Sequence, residues 1–246
     1  MPGPQGPGCH LNRKKMLPRS TSRKEALTTL VARKGANHQR LAARVARHPA
    51  LLAEALDGLG SAEPRIEYGC SKLLRLLSEA QPGLLYPRFD FFAGLLDCDN
   101  NFLKWDAARI VARLSAVDSR RKLDPMLTRY LQPIGGPVMI TAANLIGNSA
   151  VIALARPELA GRLARAVLKV ERAEYQTAEC RNVAIGHAVD SFGKFFHLLN
   201  TRDKATVVKF VRRQKSNRRN AVKKKVAAFL KQHGLEPATR RRCAAP

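Results

Sequence analysis

Apolar residues recur at helical spacing along most of the chain, with polar residues between them. The segment 97–117 shows the pattern best, with apolar positions at Phe102, Leu103, Ala107, Ile110, Val111 and Leu114. This spacing places one face of a helix against a core and leaves the other face wet. Asp99, Asn100 and Asn101 precede the run and can accept hydrogen bonds from free backbone N–H groups. The helix is therefore predicted to begin near Phe102.

Copies of this pattern occur elsewhere in the chain, at 65–80, 137–155 and 177–196. Matching Tyr68, Trp105, Ile140 and Ala178 gives steps of 37, 35 and 38 residues, which lie within the periods of helical-repeat proteins. Shorter apolar segments lie between the copies, at 83–96, 121–132 and 157–170. The sequence therefore predicts two helices per repeat.

Capping residues, prolines and glycines place the other helices, at 23–34, 37–47, from Pro49 to about 58, at 201–213 and at 218–232. The resulting domain organisation is a solenoid over residues 21–234, with repeats at roughly 49–80, 83–117, 119–155, 157–196 and 201–232. Residues 1–20 are rich in Pro and Gly, have no apolar period, and are predicted to form a disordered basic tail. Residues 235–246 are predicted to form a basic C-terminal tail.

The period and the paired helices resemble the HEAT and armadillo-like α-helical repeat superfamily. The closest match is the acidic and Asn-containing loop 97–101, followed by the Leu103-Lys104 pair and the small residues Ala107 and Ala108. The resemblance covers roughly residues 37–232. It implies an all-α fold: a right-handed α-solenoid of HEAT-like helix pairs with basic, partly disordered termini. It leaves the function open, because this superfamily serves many partners.

Charge is the most informative functional feature. The chain has 44 Lys and Arg against 19 Asp and Glu, a formal charge of +25, and the excess lies in residues 1–50 and 201–246. Dense like charge makes a polyanion a favoured partner. We therefore expect a non-catalytic module that contacts the backbone of DNA or RNA without reading sequence. Eight cations within 211–225 are the expected contacts: Arg212, Arg213, Lys215, Arg218, Arg219, Lys223, Lys224 and Lys225.

Aromatic and apolar residues near these cations refine that expectation. Phe210 and Phe229 occupy core-like positions, so base stacking is not expected in this segment. Val222, Val226, Phe229 and Leu230 form an apolar stripe that the repeat array is expected to cover, which disfavours a membrane as the partner.

A second constellation lies inside the repeats. The pairs Tyr68/Lys72, Trp105/Arg109, Ile140/Asn144 and Ala178/Asn182 are each spaced by four residues and so share a helix face. They are similar to the Trp-x-x-x-Asn ladder with which importin-type armadillo repeats hold extended peptides. The alternative function is thus a protein-interaction scaffold that binds an acidic or extended peptide in a groove lined by Tyr68, Lys72, Trp105, Arg109, Asn144 and Asn182. The sequence also allows these residues to serve packing between helices alone.

Enzymatic chemistry is not expected. HEAT-like DNA glycosylases place an Asp among Trp residues, and we keep this activity as a minor alternative, although Trp105 is the single Trp and adjoins Asp106. The five cysteines are scattered without a Cys-x-x-Cys pair, so we expect no metal, no cofactor and no disulfide framework. No apolar run approaches bilayer-spanning length. We expect a soluble protein in the cytoplasm or another reducing intracellular compartment.

Overall fold

The computed structural model describes residues 25–236, and all regular structure in that range is helical. The prediction of an all-α chain is confirmed. The helices form two compact units, the first ending at Tyr130 and the second beginning at Leu131. The predicted N-terminal tail, 1–20, and all but the first two residues of the predicted C-terminal tail, 235–246, lie outside the described residues.

The first unit contains six short helices and two longer ones. They are α1 (Leu27–Ala32), α2 (His38–Arg47), α3 (Pro49–Asp57), α4 (Pro64–Ala80), α5 (Pro82–Leu85), α6 (Phe89–Gly94), α7 (Asn101–Leu114) and α8 (Leu123–Leu131), whose last residue is the first of the second unit. The second unit contains α9 (Met139–Ala155), α10 (Ala160–Leu168), α11 (Ala178–Phe195), α12 (Thr201–Arg213) and α13 (Asn220–Gln232).

Helix α4 is the centre of the first unit. Helices α1, α2 and α3 pack against it, α7 lies beside it, and α5 and α6 pack on α7. The buried faces of α4, α6 and α7 supply the core with Leu73, Leu74, Leu77, Phe89, Phe92, Ile110, Val111 and Leu114. The apolar spacing found in the sequence thus corresponds to the faces that these helices turn toward each other.

The second unit has a row of three helices with two more packed on it. Helices α9, α11 and α13 lie side by side, while α10 packs on α9 and α12 packs on α10. Its core contains Ile146, Ile152, Leu163, Val167, Phe192, Phe195, Phe210 and Val226. Within the second unit, the helices therefore alternate along the chain between two packed layers.

Side-chain caps explain where several helices begin. Asn100 Oδ1 accepts from the backbone N–H groups of Phe102 and Leu103, at 3.0 and 3.4 Å. Thr177 and Asn200 cap α11 and α12 in the same way. The predicted start near Phe102 is confirmed, because these caps satisfy donors that have no partner within the helix.

Three predicted helices have different bounds. Within the described residues, α1 is shorter than 23–34, because Ala26 and Arg33 have extended backbone on either side of it. The segment 83–96 is broken into α5 and α6 around Pro87, which has no N–H to donate. The last helix begins at Asn220, two residues later than predicted, because Arg219 is extended.

Candidate functional site

The predicted cations in 211–225 lie at the end of α12, at the start of α13 and in the connection between them, all in the second unit. Arg212 and Arg213 are in the last turn of α12, and Lys215 is in the 3₁₀ turn Gln214–Ser216. Arg218 and Arg219 lie in the loop before α13. Lys223, Lys224 and Lys225 follow in the first two turns of α13. We call these eight residues the basic segment.

Three members of the basic segment have acidic partners. Arg213 donates from Nε and Nη2 to the two carboxylate oxygens of Glu171, at 2.9 and 2.6 Å. Arg219 pairs with Glu179, and Lys225 pairs with Asp190 at 2.5 Å. The hydrogen bond from Arg219 lowers the pKa of Glu179, and the bond to Glu171 raises the pKa of Arg213. These three cations therefore also hold α12 and α13 to neighbouring elements.

Five members of the basic segment are exposed and make no ion pair within the described residues: Arg212, Lys215, Arg218, Lys223 and Lys224. The chain has no acidic residue between Asp203 and Glu236, so no neighbour in sequence neutralises them. The opposite face of α13 packs against the core through its buried residues Val222, Val226, Phe229 and Leu230. The exposed side of the segment consequently carries charge of one sign.

The aromatic residues near the basic segment do not reach the surface. Phe210 and Phe229 are buried, and Phe229 packs edge-on against Phe196 with ring centroids 5.2 Å apart. The basic segment thus offers cations without stacking rings.

The groove positions of the first unit lie on α4 and α7. Tyr68 and Lys72 are exposed on α4, and Trp105 and Arg109 are half-buried on α7. Arg109 donates to Asp106 Oδ1 at 2.9 Å, and Asp106 Oδ2 accepts from Ser71 at 2.8 Å. Asp106 therefore joins α4 to α7.

The predicted core position of one aromatic residue, Phe102, is wrong. Phe102 is 59% exposed, although its spacing predicted a core position. Its ring lies 5.3 Å from Tyr68 and 5.4 Å from Trp105, centroid to centroid. In the first turn of α7, Phe102 faces the same side as Trp105, whereas Leu103 one residue later faces the core. The spacing of three residues between Phe102 and Trp105 could have predicted that both side chains share the exposed face of α7.

The groove positions of the second unit use their amides within the fold. Asn144 Nδ2 donates to Ile140 O, at 2.9 Å, one turn earlier in α9. Asn182 Oδ1 accepts from Asn217 Nδ2 at 3.1 Å, and Asn182 Nδ2 donates to Glu179 at 3.4 Å. These contacts satisfy local backbone and loop groups, which is the packing role that the sequence also allowed.

Solved structures with similar folds include two designed or engineered proteins. A designed armadillo repeat protein matches with a TM-score of 0.55 and 13% identity, covering 85% of this chain and 90% of that one. The fold is armadillo-like. An engineered protein from the Northeast Structural Genomics Consortium matches this armadillo-like chain with a TM-score of 0.53 and 11% identity, covering 84% and 86% of the two chains. No protein-family model and no curated protein matches the sequence.

Within residues 25–236, no three His, Cys, Asp or Glu side chains are grouped so as to hold a metal ion. No helix in the same range is long and apolar enough to cross a membrane. Burial raises the pKa of the Cys70 thiol to about 11, which keeps it protonated at neutral pH.

Proposed function

We propose that this helical-repeat protein is a non-catalytic module that binds the sugar-phosphate backbone of DNA or RNA through the basic segment. The observation that supports this function is the set of five exposed cations that have no acidic partner among the described residues. An unpaired surface cation is free to exchange its solvent contacts for a phosphate, and neutralised phosphates release their counterions.

The ion pairs in the same segment strengthen the proposal. Arg213, Arg219 and Lys225 are fixed by Glu171, Glu179 and Asp190, so they hold the loop and α13 in place between the free cations. A polyanion would therefore meet an ordered set of charges, which reduces the entropy cost of binding. Phosphate contacts of this kind carry no sequence information.

The peptide-scaffold alternative has weaker support. Arg109, Asn144 and Asn182 each bond to groups of this chain. An extended peptide bound at these positions would have to displace those bonds. We therefore favour nucleic acid as the partner.

The experiment measures anisotropy of labelled duplex DNA and of structured RNA with the full chain over a salt series. One variant changes Arg212, Lys215, Arg218, Lys223 and Lys224 to Gln. If each contacts a phosphate of duplex DNA, the slope of log affinity against log salt should flatten by about 4.5 units, because each contact contributes about 0.9.

A matched control changes to Gln five other exposed arginines that make no ion pair within residues 25–236: Arg47, Arg88, Arg113, Arg120 and Arg162. Both variants lower the net charge equally, so the control separates the local segment from the overall charge. The proposal is overturned if the wild-type chain does not bind at low salt, or if the two variants weaken binding alike.

A further inference from the structure

The first unit carries exposed rings on the surface shared by α4 and α7. Tyr68 is 42% exposed and Phe102 is 59% exposed. Phe102 lies between Tyr68 and Trp105, with interplanar angles of 56° and 67°. Tilted pairs at this separation are favourable aromatic contacts, and they leave ring surface open to solvent. We call these three residues the aromatic cluster.

Cations lie on both sides of the aromatic cluster along α4. Arg65 precedes Tyr68 by three residues and Lys72 follows it by four, so the three side chains share one helix face. Both cations are exposed, and neither makes an ion pair among the residues that the structure describes.

Two acidic residues near the aromatic cluster, Asp106 and Glu67, already have partners within the fold. Asp106 accepts from Ser71 and Arg109 and pairs with Arg75 at 3.3 Å. Glu67 accepts from Asn100 Nδ2 at 2.9 Å, and burial raises the pKa of Glu67. Arg65 and Lys72 therefore keep positive charge beside the rings that no ion pair within the described residues compensates, and an anionic partner complements these two cations.

We propose that the aromatic cluster stacks on unpaired bases of a single-stranded nucleic acid while Arg65 and Lys72 contact its phosphates. This inference rests on the proposed function for the identity of the polyanion. Rings beside cations suit alternating bases and phosphates, and stacking tolerates any base because every base has a π face.

A peptide suits this surface less well. The groove positions that follow the rings in this unit are Lys72 and Arg109, which carry donors only. They offer no carbonyl oxygen to a peptide N–H, as a ladder of Asn side chains would.

Trp105 is the single Trp of the chain, so its fluorescence reports on the aromatic cluster alone. We expect an oligodeoxythymidine strand to quench it, and a duplex of the same length to quench it much less, because paired bases are not free to stack. Polyphosphate, which has charge without bases, should bind without quenching.

The test variant changes Tyr68 and Phe102 to Ala. Because each stacked base contributes strongly to binding, we expect the affinity of this variant for the single strand to fall about 10-fold or more. Its affinity for the duplex should be unchanged. The matched control is Leu84→Ala with Leu154→Ala, which also removes two exposed apolar side chains and should leave both affinities unchanged. Circular dichroism of each variant checks that the helices are retained.

The outcomes separate the two proposals. If neither nucleic acid binds at low salt, the proposed function fails and this inference fails with it. If the single strand binds through the basic segment without quenching Trp105 and without responding to the ring variant, only the stacking inference is overturned. Quenching by an oligoglutamate peptide, with none by the oligonucleotide, would also overturn it and assign the rings to a protein partner.

Discussion

Asn217 donates from Nδ2 to Oδ1 of Asn182, at 3.1 Å, and so joins the loop before α13 to α11. Asn217 is only 9% exposed. Its Nδ2 also donates to Gln214, and its Oδ1 accepts from the backbone N–H of Arg219. One side chain therefore positions the loop that carries Arg218 and Arg219.

We predict that Asn217→Ala lowers the free energy of unfolding by about 1 to 3 kcal/mol, because buried polar partners lose their hydrogen bonds. Urea denaturation measures the change. A double-mutant cycle with Asn182→Ala should show a coupling of about 0.5 to 1.5 kcal/mol. Strictly additive effects would mean that the two amides do not interact in solution.

Removing the acidic partners of the basic segment should strengthen nucleic-acid binding, because the charge gained outweighs the small ordering effect of ion pairs that lie at the surface. The variant combines Glu171→Gln, Glu179→Gln and Asp190→Asn, which frees Arg213, Arg219 and Lys225. Each freed cation that reaches a phosphate of duplex DNA adds about 0.9 to the magnitude of the salt slope. Anisotropy over a salt series measures both affinity and slope.

A matched control combines Glu63→Gln, Glu174→Gln and Asp57→Asn, three exposed acidic residues that pair with no member of the basic segment. Its net charge rises by the same amount. If affinity and salt slope increase equally in the two variants, overall charge governs binding and the ion pairs do not limit it.

The helices were predictable because their signals are local. Asn100 and Asn200 cap α7 and α12 within three residues of each helix start, and Pro49 and Pro64 open α3 and α4. The break at Pro87 was also visible in the sequence, but the surrounding apolar residues outweighed it in the prediction.

The chemistry of the site was only partly predictable because its partners are distant in the chain. The density of cations in 211–225 is visible in the sequence, but Lys225 and Asp190 are separated by 35 residues and Arg219 and Glu179 by 40. Which cations are free therefore depends on how α13 packs against α11. The exposure of Phe102 likewise depends on a distant residue, because the ring that it contacts, Tyr68, lies on α4.

Two helical glycines should respond oppositely to alanine. A Cβ at Gly69 in α4 would lie 2.8 Å from the backbone oxygen of Val31, so Gly69→Ala should force α1 away and lower the free energy of unfolding by about 1 to 3 kcal/mol. A Cβ at Gly147 in α9 meets nothing within 4 Å. Gly147→Ala should therefore raise that free energy by about 1 kcal/mol. Thermal or urea unfolding of both variants tests the close approach of α1 and α4, and a stabilising Gly69→Ala would contradict it.

Stability should decline on mild acidification because of half-buried histidines. The ring of His233 lies 4.7 Å from Phe196 and 4.6 Å from Phe229, centroid to centroid, and its Nε2 is buried without a hydrogen-bond partner in the described chain. Burial lowers the pKa of His233 below 6.5, a backbone hydrogen bond with Gly193 partly offsets this, and His197 and Lys204 lower the pKa further. Burial also lowers the pKa values of His38 and His187.

A lowered pKa means that the unfolded chain takes up protons first. The stability that neutral His233 contributes is complete above the unfolded pKa of about 6.5 and is lost as the pH falls below it. His233→Gln should make the pH dependence of stability shallower between about pH 7.5 and 5.5, whereas His48→Gln, at an exposed position, serves as the control.

Glu67 acts in the opposite direction, because its raised pKa makes protonation favour the fold. Measurements should therefore stop before that carboxyl titrates. Stability that rises over this range, or a slope unchanged by His233→Gln, would show that His233 is not buried as a neutral ring.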